Sequence, residues 1–458
     1  MKKLMAAILC LALCLSGAAL AAVEGPIFEA KGISTLIYKS EPNLLKYTNY
    51  KNGYGIVSLE GEQLSEDAFG ALNECGHDYF EAINENGLDT HGLVDMTGAE
   101  LIPFNYSAFQ VYSDQWVGAV VVAPTDDEKG DYGSGFFGGG DQYNIDHVDM
   151  WYLPEKKLAG TLSREQFRDG RAVGGGEYLL VQDREDKLTM YNAAFEAVDH
   201  LFESLDDFDI GLVQPSKLEA QKLVNRVTGE TVSEDLPDAV ETIYRGEGYA
   251  TLRKRVDDEN RYALINASGE MLTDYVLGSV DRVIRDRYVI SYIYDREKSA
   301  TLYGVYDLEQ GKQIIPFDYE QFFYAGDLTG LNGYFPVKLD GKVGFVNAEG
   351  TVTCPIEYAK DNVDKQLGCS FIYKEGGQLT LVAGDGAVTD LTALGVEDTV
   401  YGQDGSDGQY IGVKNADGKY GVIDWHGQSV VDFVLDGMPN IYRDGYMVID
   451  GGIYHIVP

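Results

Sequence analysis

Six segments of the chain follow one spelling, with single departures at Ser58, Ala263 and Gln310: a bulky or aromatic residue, glycine, an apolar pair, aspartate or asparagine, two variable positions and a second glycine. They are YGIVSLEG at Tyr54, HGLVDMTG at His91, YALINASG at Tyr262, YGVYDLEQG at Tyr303, VGFVNAEG at Val343 and YGVIDWHG at Tyr420. Chance does not produce six such matches, so the chain reads as a repeat array. The second positions fall at Gly55, Gly92, Ala263, Gly304, Gly344 and Gly421, and from Ala263 they advance by 41, 40 and 77 residues. The last step spans two units, with a worn copy, QLTLVAGDG, near Thr380. KLVNRVTGE near Leu223, KLTMYNAAF near Thr189 and DMWYLPEKKLAG near Trp151 extend the period backwards, and GGIYHIVP near Tyr454 closes it. About eleven units of roughly 40 residues each account for nearly all of the chain.

Each unit has the same internal grammar. An alternating strand such as GYFPVKLD (Gly333 to Asp340) or GQYIGVKN (Gly408 to Asn415) leads through a Gly-containing turn into the motif strand. The Asp/Asn-x-x-Gly segment then reverses the chain. Its members include Asp95 and Gly98, Asp307, Asn347 and Gly350, and Asp424 and Gly427. The acidic or amide side chain is expected to cap turn amides, and the glycine to accept positive φ. A third apolar segment follows, ending alike in IPFNY at Ile102, IPFDY at Ile315 and CPIEY at Cys354. Proline cannot donate to a ladder, so it is expected at a strand end or sheet edge. The predicted fold is all-β: a tandem array of antiparallel meanders, propeller-like as a ring or open spiral, with a β-hairpin solenoid as the alternative.

These residues resemble the bacterial WG-repeat family, whose unit combines an aromatic-Gly pair, an apolar strand, Asp-x-x-Gly and a trailing isoleucine-proline-aspartate-tyrosine-like segment. The resemblance spans nearly the whole chain beyond its leader. It departs at the residue that names the family, because Tyr54, His91, Tyr303, Val343 and Tyr420 stand where tryptophan is usual. The resemblance implies interaction or surface modules, and no chemistry follows from such a fold alone.

The chain opens MKKLMAAILCLALCLSGAALAAVEG, with Lys2 and Lys3 ahead of an apolar run and Ala19 and Ala21 in an A-x-A arrangement. This reads as a secretory signal peptide, residues 1–22, cleaved after Ala21 or Ala22. A secreted or cell-surface protein is the expectation, with no membrane insertion of the mature chain. Without Lys2 and Lys3, 34 basic residues face 74 acidic ones, a formal charge of −40. That excludes nucleic acid as an expected partner and leaves an unknown protein or glycan at the cell surface. Beyond the leader lie Cys75, Cys354 and Cys369. Cys354 and Cys369 either form a disulfide, leaving Cys75 over, or all three are small buried residues.

The chain divides into the leader, N-terminal repeats at 23–123, an insertion at 124–149, degenerate repeats at 150–260 and C-terminal repeats at 261–458. The insertion, PTDDEKGDYGSGFFGGGDQYNIDHVD, breaks the period and is rich in glycine and acid. Phe136, Phe137 and Tyr143 make it a candidate binding loop. Asp146, His147 and Asp149 put three metal-ligand types within four residues, without the further His or Cys that a transition metal usually requires nearby. No cofactor is expected. Calcium is the one ion left open, by acidic turns at Asp126, Asp127, Asp131, Asp404 and Asp407 that lack EF-hand spacing.

No G-x-S-x-G elbow, H-E-x-x-H, Walker loop or G-x-G-x-x-G between strand and helix is present. The sequence therefore points to a non-catalytic binding or interaction scaffold, with no catalytic residues assigned. The alternatives are a carbohydrate hydrolase using an unrecognised carboxylate pair and a structural envelope component.

Overall fold

A computed structural model of the chain describes residues 22–35, 44–49, 53–75, 79–84, 90–122, 145–214, 220–233, 236–242, 248–322, 333–400 and 408–457. Among the described residues the strands form ten sheets, and the pairs whose register is resolved are antiparallel. Nine hold three or four strands and one copy of the repeat; the tenth holds seven strands and two copies, with motif strands Tyr54–Ser58 and His91–Asp95. The fold is thus an all-β tandem array of blade-like, propeller-like meanders. Among the described residues no helix is long and apolar enough to cross a membrane.

The chain divides into two units: Met1–Asn49, Val57–Gln63 and Asp281–Pro458 form one, Tyr50–Ile56 and Leu64–Val280 the other. In the first, consecutive copies have their motif strands at Ala300–Asp307, Lys342–Asn347, Gln378–Ala383, Tyr420–Asp424 and Gly452–Val457. The sheet that holds Gly452–Val457 has four strands, three of them from the last copy. The N-terminal strand Ala22–Glu29 is the fourth, pairing antiparallel with Gly452–Val457 through Val23↔Ile456 and Phe28↔Ile453. In the second unit the motif strands are His91–Asp95, Ile145–Tyr152, Leu188–Tyr191, Lys222–Asn225 and Glu259–Asn266.

The motif strands Tyr420–Asp424 and Lys342–Asn347 are buried continuously, not alternately: three or four successive residues in each are shielded from solvent. A sheet covered on both faces requires this. The last strand of a copy, such as Ser429–Leu435, returns to alternation because it lies at the sheet's edge. Cores form where one sheet faces the next. Ile290, Val305 and Ile315 pack on Phe322, Phe335 and Val337 of the following copy, and Ile372 and Leu381 pack on Ile411 and Ile423. Phe335 is wholly buried; truncating such a phenylalanine to alanine costs about 3–5 kcal/mol. A copy alone would leave both faces open, so neighbours complete it.

Four copies share one departure from regular pairing. Gly92, Gly304, Gly344 and Gly421 each sit between two paired residues while the opposite strand loops past with three. Val343 pairs Tyr358 and Phe345 pairs Cys354, leaving Pro355, Ile356 and Glu357 opposite Gly344. The same holds for Tyr303↔Tyr319 with Val305↔Ile315, His91↔Tyr106 with Leu93↔Ile102, and Tyr420↔Leu435 with Val422↔Val431. This wide bulge explains the trailing Pro-x-x-Tyr: proline occupies the unpaired stretch of an edge strand, and the tyrosine restores the register opposite the aromatic position.

Two sequence boundaries shift. The strand Ile145–Tyr152 begins inside the stretch read as insertion 124–149, so Asp146, His147 and Asp149 belong to a motif strand whose Val148 and Met150 are buried. The division at 260 falls within the strand Glu259–Asn266. Cys354 and Cys369 are both buried and are not joined to each other, which decides against the disulfide.

Candidate functional site

The repeat-motif residues are occupied by holding the fold. The Asp95 carboxylate accepts from the Thr97 and Ala99 amides at 2.9 and 3.1 Å. Asn347 does the same for Glu349 and Thr351, and Asp424 for His426 and Gln428. Gly98, Gly350 and Gly427 take φ of 76°, 77° and 84°, the left-handed angle that glycine adopts without penalty. Asp307 goes further: wholly buried, it receives a guanidinium fork from Arg287 at 2.9–3.3 Å and the amides of Glu309 and Gln310. Burial would raise its pKa, but the Arg287 and Gln310 hydrogen bonds outweigh that and hold the carboxyl below its ordinary value. Of the aromatic positions, Tyr54 pairs Phe69, Tyr303 packs edge-on against Phe322 of the next sheet, Tyr420 lies under the Lys414 ammonium, and His91 contacts Glu81 at 2.6 Å. Gly55 is buried within its strand. Phe136, Phe137 and Tyr143 lie outside the described residues, as do Asp126, Asp127, Asp131, Asp404 and Asp407.

Along the strand Ile145–Tyr152, Asp146, His147 and Asp149 join a polar network. The buried Asp149 carboxylate accepts from the Tyr106 hydroxyl at 3.0 Å and from the Thr161 hydroxyl at 2.5 Å. The Trp151 indole N–H donates to Tyr106 at 3.1 Å. His147 turns to Asp146 at 2.6 Å and reaches Asp149 only at 3.7 Å. Burial pushes the Tyr106 hydroxyl up to about 12, so it stays a donor to Asp149 at neutral pH. Both Asp149 oxygens are filled by hydroxyl donors, and among the described residues no trio of His, Cys, Asp or Glu is arranged to hold a metal.

One buried carboxylate in the same unit is raised. Burial lifts Asp209, against a 2.6 Å hydrogen bond from the Gly174 amide and the charges of Arg171 and Arg226. Its partners are cations and an amide, not the second carboxylate that glycoside cleavage requires.

The other unit carries a row of side chains at the variable positions of successive turns. Trp425 and His426 are the x-x of Asp424-x-x-Gly427, and Gly384 and Asp385 occupy the same places one copy earlier. His426 Nε2 lies 2.9 Å from Asp385 Oδ2. The His426 imidazole sits 3.7 Å from the Trp425 ring, and Tyr334 lies 6.0 Å beyond it, tilted by 41°. Gly384 makes room for this ladder: a Cβ there would meet the Tyr334 ring at 2.6 Å. The Trp425 amide is tied to the Gln409 carbonyl at 2.9 Å, and the Thr389 hydroxyl to the His426 carbonyl at 2.6 Å. Burial raises Asp385, but the Ala387 amide and His426 outweigh it and hold the carboxyl below its ordinary value. All three rings remain partly exposed. Sequence reasoning missed this ladder because it watched the constant positions; the signal was Trp-His in a turn whose variable residues are aromatic in none of the other copies named above.

No family model and no curated protein matches the chain. Among solved structures it is similar to the crystal structure of a eukaryotic initiation factor, at 10% identity over 78% of this chain and 95% of that one, with a TM-score of 0.35. BamB from Moraxella catarrhalis matches at 13% identity over 67% and 87%, TM-score 0.22, and apo AztD from Citrobacter koseri at 13% over 66% and 85%, TM-score 0.23. These likenesses are too distant to bear on function.

Proposed function

We propose that this chain is an exported, non-catalytic WG-repeat protein that binds another macromolecule at the cell surface or outside the cell. The observation that carries this reading is the Tyr334–Trp425–His426 ladder: rigidly backed, partly exposed rings, of which Trp425 and His426 stand on variable turn positions and Tyr334 is a strand residue packed against the core of its copy. Large rigid side chains bind with little entropy loss, which is why aromatics dominate recognition surfaces. The constant motif residues are consumed by bulges and turns, leaving the variable turn positions to diverge. The leader supports export, and a formal charge of −40 without it disfavours anionic partners.

The rival carbohydrate hydrolase makes a different prediction from binding alone. Residues 23–458 incubated with cell-surface polysaccharide are expected to retain it without releasing new reducing ends. Steady release of reducing ends that scales with protein concentration would establish the enzyme instead.

A further inference from the structure

We propose that the Tyr334–Trp425–His426 ladder is a glycan subsite that seats one pyranose ring; this rests on the binding reading above and names its ligand class. A pyranose has an apolar C–H face ringed by hydroxyls, each both donor and acceptor. It therefore needs an aromatic surface bordered by groups of both kinds.

The ladder offers that combination. Asp385 can only accept, so His426 Nε2–H donates to it, which leaves Nδ1 as the ring nitrogen without a protein partner among the described residues. Among the described residues the Trp425 indole N–H donates to no protein group and the Tyr334 hydroxyl has no hydrogen-bond partner. An indole donor, an imidazole nitrogen and a phenol hydroxyl that can donate or accept thus border two partly exposed aromatic rings. The surface is also set in advance. Tyr334 rests against the Gly384 backbone, and the turn is fixed by Gly427, where any Cβ would meet Thr389 at 2.6 Å. Ordering a free side chain on binding costs about 0.5–1.5 kcal/mol, and here the rings are already held.

A cationic ligand is the competing occupant, since aromatic rings beside carboxylates also attract ammonium groups. The geometry favours the sugar. Asp385 already accepts from the Ala387 amide at 3.0 Å and from His426, so its charge is answered within the turn.

The test is titration of residues 23–458 with dextran, soluble cello-oligosaccharides and soluble chito-oligosaccharides, read by calorimetry and tryptophan fluorescence, with polylysine at physiological salt in parallel. Of three tryptophans, Trp116 is wholly buried and Trp151 is bonded to Tyr106, so a ligand-induced emission change reports Trp425. Saturable binding of at least one pyranose series, weakened about tenfold by Trp425→Ala with an unchanged melting temperature, is expected. Should Trp425→Ala not fold, Trp425→Phe and Tyr334→Phe keep the stack and remove the indole N–H and the phenol. Each is expected to weaken binding, and unaltered affinity in both overturns the proposal. Failure of every glycan while surface material still binds overturns the glycan subsite and leaves the binding reading standing. Polylysine binding that Trp425→Ala abolishes assigns the ladder to cations and overturns it as well. No retention of surface material at all sinks both.

Discussion

The carbonyl oxygen of Cys354 lies 2.6 Å from the point where a Cβ on Gly344 would sit. Gly344 keeps its place because the last strand of the copy swings three residues past it, and the backbone of that bulge fills the space any side chain would use. Gly421 stands in the same relation to the Val431 carbonyl at 2.7 Å, and Gly304 to Ile315 at 2.8 Å. Close approach, not a left-handed backbone angle, fixes these glycines.

Replacing Gly344 or Gly421 by valine is expected to destabilise the protein by about 1–3 kcal/mol, the usual penalty of forcing atoms into a packed site. Thermal melting checks it; an unchanged melting curve in both variants would refute the bulge as the reason for the motif glycine.

The first and last strands make a second prediction. Ala22–Glu29 contributes few buried side chains, but it covers the edge of Gly452–Val457, whose Ile453 and Ile456 are buried. Starting the chain at Ala30 should lower the melting temperature and promote self-association through the bared edge. A monomer with wild-type melting behaviour would contradict this role.

How far this could be foreseen differs residue by residue. The bulge and the Asx turn were legible as constant letters because backbone geometry leaves few residues able to stand there: glycine against the Cys354 carbonyl, aspartate or asparagine at 95, 347 and 424. The worn copies at Thr189 and Leu223 were legible only through spacing, since their strands, with Met190 buried in one and Leu223 and Val224 in the other, lack the aromatic-Gly spelling. Asp146, His147 and Asp149 misled because their acidity resembles a loop; the alternation with Val148 and Met150 was the correct signal. The Asp385–His426 pair spans 41 residues, one period, and only stacking of consecutive copies brings it together.

Acid sensitivity follows from Asp307 and Asp385. Both carboxyls titrate below their ordinary value in the folded chain. Their contribution to stability is therefore present above the unfolded carboxylate value, about pH 4, and is lost as pH falls through the folded values. Asp307→Asn is expected to lower the melting temperature at neutral pH, with the difference from wild type shrinking on acidification below about pH 4. A difference that stays constant down to about pH 2 would show that the Arg287 pair does not carry it.

The thiols supply a chemical check. Burial pushes Cys75 up to about 12 and Cys354 up to about 11, and Cys369 is buried. A thiol reagent at neutral pH should label the folded chain from residue 23 slowly, and all three cysteines once it is denatured. A reductant should leave the melting temperature unchanged. A Cys354–Cys369 disulfide found by mass spectrometry would contradict the arrangement.

The most direct measurement is saturation binding of residues 23–458 to the surface fraction of the cells that make the protein, by co-sedimentation, with Trp425→Ala alongside. Saturable binding that falls about tenfold in the variant is the predicted result. Absence of saturable binding by the folded wild-type protein would contradict the account and leave the repeats a purely structural role.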